Sequence, residues 1–167
     1  MNQSQQGAWW KEAVIYQVYP KSFYDSNNDG TGDIQGIIAK LPYLKTLGIT
    51  MIWVSPFYLS PGADNGYDIA DYYAVNPDLG QLQDVDALIK QAGELGIGIM
   101  VDLVVNHTSD EHRWFQAALA DPASKYRDYY IFKPAVAGAA PNNWRSIFGG
   151  SAWEKVAGEE CYYLHVF

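Results

Sequence analysis

The feature that most constrains the fold is a nearly continuous apolar run at residues 97–105, which reads IGIMVDLVV. A strand with one face in water alternates apolar and polar residues, whereas a parallel strand covered on both faces is apolar almost throughout. Two more runs rich in β-branched and aromatic residues, at residues 14–19 and 49–54, also predict buried strands. The chain is therefore predicted to be built on a parallel sheet.

The segments between these strands have the periodicity of helices. Apolar residues recur at helical spacing in residues 34–47 and 85–95, and a glycine that can end the helix follows each segment. Pro42 is expected to break the first helix and restart it. Residues 58–83 are expected to form a long polar loop. The order strand, helix, strand, helix, strand predicts an α/β fold with right-handed crossovers.

The last third of the chain has a different composition. Residues 109–167 are rich in Ala, Gly, Pro, Tyr and Trp, with a short exposed helix predicted near residues 111–119 and a strand at residues 161–167. A closed eight-stranded α/β barrel needs about 250 residues, so three parallel strands are expected to form only the first part of such a fold. We therefore divide the chain into residues 1–108 and 109–167.

Charge and composition restrict the partners. Eleven Lys and Arg against nineteen Asp and Glu give a net charge of −8, and no basic run could follow a phosphate backbone, so nucleic acid is not an expected partner. No signal peptide and no apolar run of about 18 residues is recognisable, which predicts a cytoplasmic protein without a membrane partner. Cys161 is the single cysteine, so an internal disulfide is impossible.

An acidic loop, DSNNDGTGD, follows the first predicted strand. Side-chain oxygens stand at Asp25, Asn27, Asp29 and Asp33, and Thr31 can add a carbonyl oxygen. Hard oxygen ligands at alternate positions suit calcium, and the first six positions match an EF-hand loop, although its closing Glu is absent. The alternative is an Asx-rich turn without a metal.

Two further clusters follow the second and third predicted strands. The first contains Asp64 and Tyr67 in the sequence DNGYD, which is either part of a site or a glycine-containing turn. The second contains Asp102, Asn106 and His107. A carboxylate in an otherwise apolar strand is costly unless it is paired, so Asp102 either belongs to a site or orients a neighbour. Because ligands bind beyond the carboxyl ends of parallel strands, both clusters lie where a site is expected.

Six motifs, in this order, resemble the α-amylase superfamily of glycoside hydrolases, and most closely its oligo-1,6-glucosidase and α-glucosidase branch. The motifs are WWKEAVIYQVYPKSF, DSNNDGTGD, IWVSPFY, DNGYDIADY, DLVVNHTSDEHRWF and NNWRSIFGGSAWE. The resemblance covers Trp9 to Phe167. It implies the N-terminal portion of a (β/α)8 TIM barrel, with its first three strands in residues 1–108, and an inserted small domain B in residues 109–167.

The resemblance also implies roles for individual residues. The acidic loop would hold a structural Ca²⁺ through Asp25, Asn27, Asp29, Thr31 and Asp33. Five other residues would line the subsite for a terminal glucose: Asp64, Tyr67, Asp102, Asn106 and His107. The nucleophile and the acid/base carboxylate would lie beyond Phe167, so no catalytic residue is assigned, and the missing C-terminal part of the barrel is an expected partner.

The implied reaction is retaining hydrolysis of terminal α-glucosidic bonds in short oligosaccharides. Sucrose isomerisation and trehalose-6-phosphate hydrolysis are alternatives on the same fold, and short α-glucosides or sucrose-like sugars are the expected ligands. Two alternatives from other classes are a non-catalytic barrel fragment and a calcium-sensing module. Retention of Asp64, Tyr67 and His107 argues against the first, and Gly36 in place of the closing EF-hand Glu argues against the second.

Overall fold

The structure, a computed structural model, describes residues 8–167, and the chain divides into two compact units, Met1–Ser109 and Asp110–Phe167. The helices and strands of the first unit are, in order, β1 (Ile15–Val18), α1 (Pro20–Phe23), α2 (Ile34–Thr46), β2 (Met51–Val54), β3 (Tyr58–Leu59), β4 (Asp71–Val75), α3 (Leu82–Glu94) and β5 (Gly98–Val101). Those of the second unit are α4 (Arg113–Ala120), β6 (Phe132–Pro134), β7 (Trp153–Lys155) and β8 (Cys161–Leu164).

The first unit is built on the predicted parallel sheet. Its strand order is β1-β2-β5, with Val18 opposite Val54 and Val54 opposite Val101. Helices α2 and α3 pack against each other, and the core beneath them includes Ile37 and Ile52, both fully buried. The predictions of parallel strands in chain order and of an α/β unit are confirmed.

Helix α2 differs from its prediction because it continues through Pro42 without a break. A proline in a helix interior lacks the N–H that would bond the carbonyl four residues earlier, at a cost of about 3 kcal/mol. Leu41 and Leu44, on either side of it, are buried in the core, and burying each such side chain stabilises the fold by about 1.5–3 kcal/mol. Packing of the apolar face therefore outweighs the missing hydrogen bond.

Strand β5 is shorter and more exposed than predicted. It ends at Val101, and residues 102–107 have no regular secondary structure. The ladder with β2 ends where Val54 faces Val101, so the backbone beyond Val101 has no strand partner in this ladder. Leu103 and Val105 are 80% and 73% exposed. The prediction of a strand to residue 105, covered on both faces, is therefore wrong for the residues that the structure describes.

The predicted long loop at residues 58–83 contains a short antiparallel pair. Strands β3 and β4 place Tyr58 opposite Val75 and Leu59 opposite Asp71. The run DYYAV is rich in residues that favour strands. It lies within a polar stretch, and for this reason the sequence pattern predicted a loop instead of a strand. In the chain, the pair lies between β2 and α3.

The second unit is a three-stranded antiparallel sheet, in the order β6-β8-β7, with helix α4. Phe115 packs edge-on against Tyr130 and Tyr163, each with ring centroids 5.0 Å apart. The expected exposure of the helix start is wrong at His112, which is 3% exposed. Its Nδ1 accepts a hydrogen bond from the Trp114 amide, so the buried imidazole caps the start of α4.

Within residues 8–167, no helix has the length and apolar character needed to cross a bilayer.

Candidate active site

The candidate site lies at one edge of the parallel sheet. Because β1, β2 and β5 run parallel, their carboxyl ends meet at this edge, and ligands of such sheets bind there. Tyr19 directly follows β1, the loop with Asp64 and Tyr67 follows β2, and Asp102 directly follows β5. The fold therefore brings together chain segments that are far apart in sequence.

The best-defined contact at this edge joins Tyr67 and Asp102. The Tyr67 hydroxyl donates a hydrogen bond to Asp102 Oδ2 over 3.0 Å. The Tyr58 hydroxyl donates to the Asp102 backbone carbonyl over 3.3 Å. Asp102 is thus held through both its side chain and its backbone. Its carboxylate is paired with the Tyr67 hydroxyl and orients that side chain.

His107 contacts the same tyrosine through the backbone. Its Nε2 lies 3.2 Å from the Tyr67 carbonyl oxygen, and its Nδ1 lies 3.2 Å from the amide nitrogen of Asn106. The side-chain nitrogen of Asn106, Nδ2, can only donate, so the Nδ1 atom of His107 accepts this hydrogen bond. The ring proton is therefore assigned to Nε2, which donates to the Tyr67 carbonyl. Asn106 therefore fixes the imidazole tautomer, and Tyr67, Asp102 and His107 form one connected group.

Asp64 belongs to this region as well. Its backbone carbonyl accepts from the Tyr67 amide over 3.0 Å in a tight turn that contains Asn65 and Gly66, with φ of 52° and 97°. Among residues 8–167, no hydrogen bond or ion pair engages the Asp64 carboxylate. The carboxylate is therefore available to a ligand.

The tyrosines at this edge stay protonated to higher pH than usual. Burial, followed by the negative charges of Asp64 and Asp102, raises the pKa of Tyr19. Burial and then the hydrogen bond to Asp102 raise the pKa of Tyr67, and burial followed by the Asp102 charge raises that of Tyr58. All three hydroxyls are therefore neutral donors at physiological pH. The shift of Tyr19 also shows that it lies within electrostatic range of both carboxylates.

Three further tyrosines at this edge, Tyr19, Tyr58 and Tyr72, were not predicted from the sequence. Tyr19 donates to the Asn65 carbonyl over 3.2 Å, and Tyr72 donates to carbonyls in the segment after β5. A signal was present, because each tyrosine lies next to a strand end or in the polar stretch that follows β2. The signal is weak because tyrosines in such positions more often fill cores.

The acidic loop between α1 and α2 is held by its own side chains. Asp25 Oδ1 accepts from the Asn27 and Asn28 amides, and Oδ2 accepts from the Gly30 amide at 2.8 Å. These backbone hydrogen bonds, that of Gly30 foremost, lower the pKa of Asp25. Asn27 and Asp29 make equivalent bonds two residues ahead.

Asp33 has a structural role at the end of this loop. Its Oδ1 accepts from the Gly36 amide, which caps helix α2, and its Oδ2 accepts from the Ser26 hydroxyl at 2.7 Å. No group of three or more His, Cys, Asp or Glu side chains within residues 8–167 is placed to hold a metal ion. A Ca²⁺ site here would therefore depend on Asn27 and on the Thr31 carbonyl as well as on carboxylates, and it stays a prediction.

The family model described as "Alpha amylase, catalytic domain" matches residues 17–167. The chain belongs to the α-amylase catalytic-domain family. This family has a TIM-barrel fold, and the three parallel strands of the first unit agree with it. The resemblance inferred from the six motifs is thus confirmed.

Named relatives fall in the predicted branch of the α-amylase family. The chain is 55% identical over 161 residues to the oligo-1,6-glucosidase of Parageobacillus thermoglucosidasius, covering 95% of this chain and 28% of that protein. It matches the crystal structure of trehalose-6-phosphate hydrolase from Bacillus licheniformis with a TM-score of 0.92 and 52% identity. A variant of the trehalulose synthase MutB in complex with glucose gives a TM-score of 0.94 and 51% identity.

The two structural matches cover 96% of this chain and 29% of the matched chains. The sequence therefore spans between a quarter and a third of the length of these α-amylase family members, and it matches their shared fold closely over that span.

Proposed function

We propose that this chain is the N-terminal part of the catalytic domain of an α-glucosidase of the oligo-1,6-glucosidase type. The proposed reaction is hydrolysis, with retention, of terminal α-glucosidic bonds in short oligosaccharides. The observation that carries the proposal is the grouping of Tyr67, Asp102 and His107 at the carboxyl ends of β2 and β5, with the Asp64 carboxylate available beside them.

The chemistry of this group suits a neutral sugar. The aromatic face of Tyr67 can cover the apolar C–H face of a glucose ring. The Asp64 carboxylate can accept hydrogen bonds from two adjacent hydroxyls, and charge-assisted bonds of this kind are stronger than neutral ones. The Nε2–H of His107, which donates to the Tyr67 carbonyl in the structure, can donate to a sugar hydroxyl in place of that carbonyl when the sugar is bound. Asp102 holds the Tyr67 ring in place, so the ring face is already oriented before the sugar arrives.

Retaining hydrolysis requires two carboxyl groups about 5–5.5 Å apart on either side of the scissile bond. We assign neither of these two carboxyl groups to residues 8–167, and we propose that the rest of the catalytic domain supplies both. The residues described here bind and orient the terminal glucosyl group. Contacts to its hydroxyls that strengthen as the ring flattens toward the transition state would contribute to rate as well as to affinity.

Sucrose isomerisation is a second candidate because the structural match to the trehalulose synthase MutB has a TM-score of 0.94. Trehalose-6-phosphate hydrolysis is a third, since that hydrolase matches with 52% identity. All three reactions begin with an α-glucosyl group, so the group around Tyr67 suits each of them. We favour hydrolysis of neutral oligosaccharides over the other two reactions because the loop segments at residues 55–76 and 102–109 contain no Lys or Arg that could attract a phosphate.

We further propose that the second unit, Asp110–Phe167, is a small domain inserted after the third barrel strand. The support is its position in the chain, after β5 and the segment that follows it, and its separate antiparallel sheet. As a further proposal, the acidic loop holds a Ca²⁺ ion through Asp25, Asn27, Asp29, Thr31 and Asp33, since all five offer the oxygen ligands that Ca²⁺ prefers. The ion would neutralise loop charge and fix the loop that leads into α2.

A chimera tests the proposed reaction. The chain is joined to the remainder of the Parageobacillus oligo-1,6-glucosidase, at the position where the alignment ends, and incubated with isomaltose, with sucrose and with trehalose 6-phosphate. We expect glucose to be released from isomaltose, and Asp64→Asn to reduce this rate by about a hundredfold. Product that forms only from sucrose, or only from trehalose 6-phosphate, would replace the proposed reaction by that alternative. A folded chimera inactive on all three would contradict it.

A further inference from the structure

We propose that Tyr72 is a positioning residue for His107: its hydroxyl fixes the backbone of the segment after β5, so that the imidazole reaches the Tyr67 carbonyl. The inference rests on the proposed function, in which His107 contacts a sugar hydroxyl. It adds a residue that acts through the backbone carbonyl of His107.

The segment that carries His107 needs such a support. Residues 102–107 follow the end of β5 and have no regular secondary structure, so no strand ladder or helix fixes their course. Leu103 and Val105 are 80% and 73% exposed, so apolar packing of these side chains does not fix it either. Val104 is the one buried side chain of residues 102–107, so the position of His107 depends mainly on individual hydrogen bonds.

Tyr72 provides hydrogen bonds at two points of this segment. Its hydroxyl lies 2.7 Å from the Val104 carbonyl oxygen and 2.9 Å from the His107 carbonyl oxygen. One hydroxyl proton is shared between two acceptors three residues apart, so the chain is drawn into a loop around a single oxygen atom. The second acceptor belongs to His107 itself, which links the hydroxyl directly to the residue whose side chain is in the candidate site.

Tyr72 is itself held by neighbouring rings and by its strand. It lies in β4, and its ring centroid is 6.1 Å from that of Tyr58. The Tyr58 ring in turn stacks on Phe57, a core residue, with centroids 5.1 Å apart. The support therefore runs from the core through two rings to the hydroxyl, which makes Tyr72 a rigid anchor for a segment without structure of its own.

The neighbouring residue offers a matched control. Successive side chains of a strand point to opposite faces, and Tyr73 is 85% exposed. Tyr72→Phe and Tyr73→Phe therefore remove the same atom from adjacent positions of one strand, but only the first removes a bond to the His107 segment. General effects of losing a hydroxyl appear in both variants.

The first experiment needs no sugar. Side-chain ¹⁵N–¹H spectra of the chain report the surroundings of the His107 ring, and amide hydrogen exchange reports the backbone at residues 102–109. For Tyr72→Phe we expect a shifted or broadened His107 signal and exchange about tenfold faster in this segment, with Tyr73→Phe matching the wild type. Unchanged His107 signals and unchanged exchange in a folded Tyr72→Phe protein would overturn the proposal.

The second experiment measures glucose affinity in a double-mutant cycle with His107→Ala. Tyr72→Phe should weaken glucose binding about fivefold in the wild-type background. It should change binding less than about twofold when His107 is already Ala, because the effect passes through that side chain. An equal loss in both backgrounds would overturn the proposal. If wild type binds no glucose while the His107 signals still respond to Tyr72→Phe, the proposed function fails and the positioning role stands.

A third measurement uses the unmodified chain and applies if Tyr72→Phe does not fold. The Tyr72 ring protons should show nuclear Overhauser contacts to the backbone of residues 104–107. Their absence in the folded wild-type chain would overturn the proposal.

Discussion

The Tyr67 hydroxyl and the Asp102 carboxylate are joined by a 3.0 Å hydrogen bond, although 35 positions of sequence separate them. The bond connects the loop after β2 to the first residue after β5. Two parallel strands already bring these segments to one edge of the sheet, and the bond then fixes the orientation of one ring relative to one carboxylate.

Removing the Tyr67 hydroxyl should loosen the candidate site. In Tyr67→Phe, Asp102 loses the donor to its carboxylate, so we expect the free energy of unfolding in urea to fall by about 1 kcal/mol. Glucose affinity should fall about fivefold because the ring is no longer oriented. Tyr73→Phe, at an exposed position, should stay within about 0.5 kcal/mol of wild type. Equal effects of the two substitutions would show that the bond contributes nothing specific.

Alkaline pH should destabilise the first unit through its tyrosines. The pKa of Tyr67 and the pKa of Tyr58 are raised, first by burial and then by interaction with Asp102, whereas an unfolded tyrosine titrates near about 10. Between the unfolded and the folded pKa, the folded state binds more protons than the unfolded state. The contribution of these tyrosines to stability is therefore fully present below pH ~10 and is lost as pH rises through the folded pKa.

The measurement is the free energy of unfolding between pH 8 and about 11, for wild type and for Tyr67→Phe. The decline with pH should be shallower in the variant because one raised group has been removed. A decline as steep as that of wild type would indicate that the pKa of Tyr67 is the same in the folded and in the unfolded chain.

Replacing Pro42 should stabilise helix α2. Because Pro42 is exposed and interior to the helix, Pro42→Ala restores a donor to the carbonyl four residues earlier without altering the core. We expect an increase in unfolding free energy of about 1–2 kcal/mol in urea. Lys45→Ala in the last turn is the control and should change stability by less than about 0.5 kcal/mol. A destabilised Pro42→Ala protein would contradict this prediction and would mean that the proline ring itself contributes to the packing of α2.

Calcium should stabilise the acidic loop if the proposed ligands hold it. Added Ca²⁺ should raise the melting temperature of wild type, and Asp25→Asn should remove most of this increase because it deletes a charged ligand. Asp86→Asn, which removes the same charge from the exposed side of α3, should keep the increase. The same response in both variants, or none in wild type, would contradict the site.

The pH dependence of calcium binding gives a further check of the same loop. Hydrogen bonds from the Gly30 amide and its neighbours lower the pKa of Asp25. Its charged form is therefore favoured in the folded chain, and its contribution to stability is present above the unfolded pKa and lost as pH falls through the lower, folded pKa. Protons should accordingly compete with Ca²⁺ at Asp25 only below the usual range of an aspartate.

The sequence predicted the elements whose pattern depends on local burial. The three parallel strands and their order were predictable because each strand is a compact apolar run flanked by helical periodicity. The placement of Asp64, Tyr67 and His107 at one edge followed from that order together with the rule that parallel strands end on the same side.

Features that depend on distant partners were not predictable. The end of β5 at Val101 is set by where the β2 ladder stops, and continuity through Pro42 is set by packing of Leu41 and Leu44. The buried His112 contacts both the backbone amide and the ring of Trp114, two residues along, and the sequence pattern did not reveal these contacts. Tyr72 could not be distinguished from Tyr73 in the sequence, because strand alternation decides which of them faces the site.

The most direct test of the account is titration of the chain with glucose, followed by the side-chain signals of His107 and by calorimetry. We predict binding in the millimolar range that perturbs His107 and is weakened about tenfold or more by Asp64→Asn and by His107→Ala, with Tyr73→Phe unchanged. Binding that leaves His107 unperturbed, or that survives both substitutions, would contradict a glucose subsite at the ends of β2 and β5.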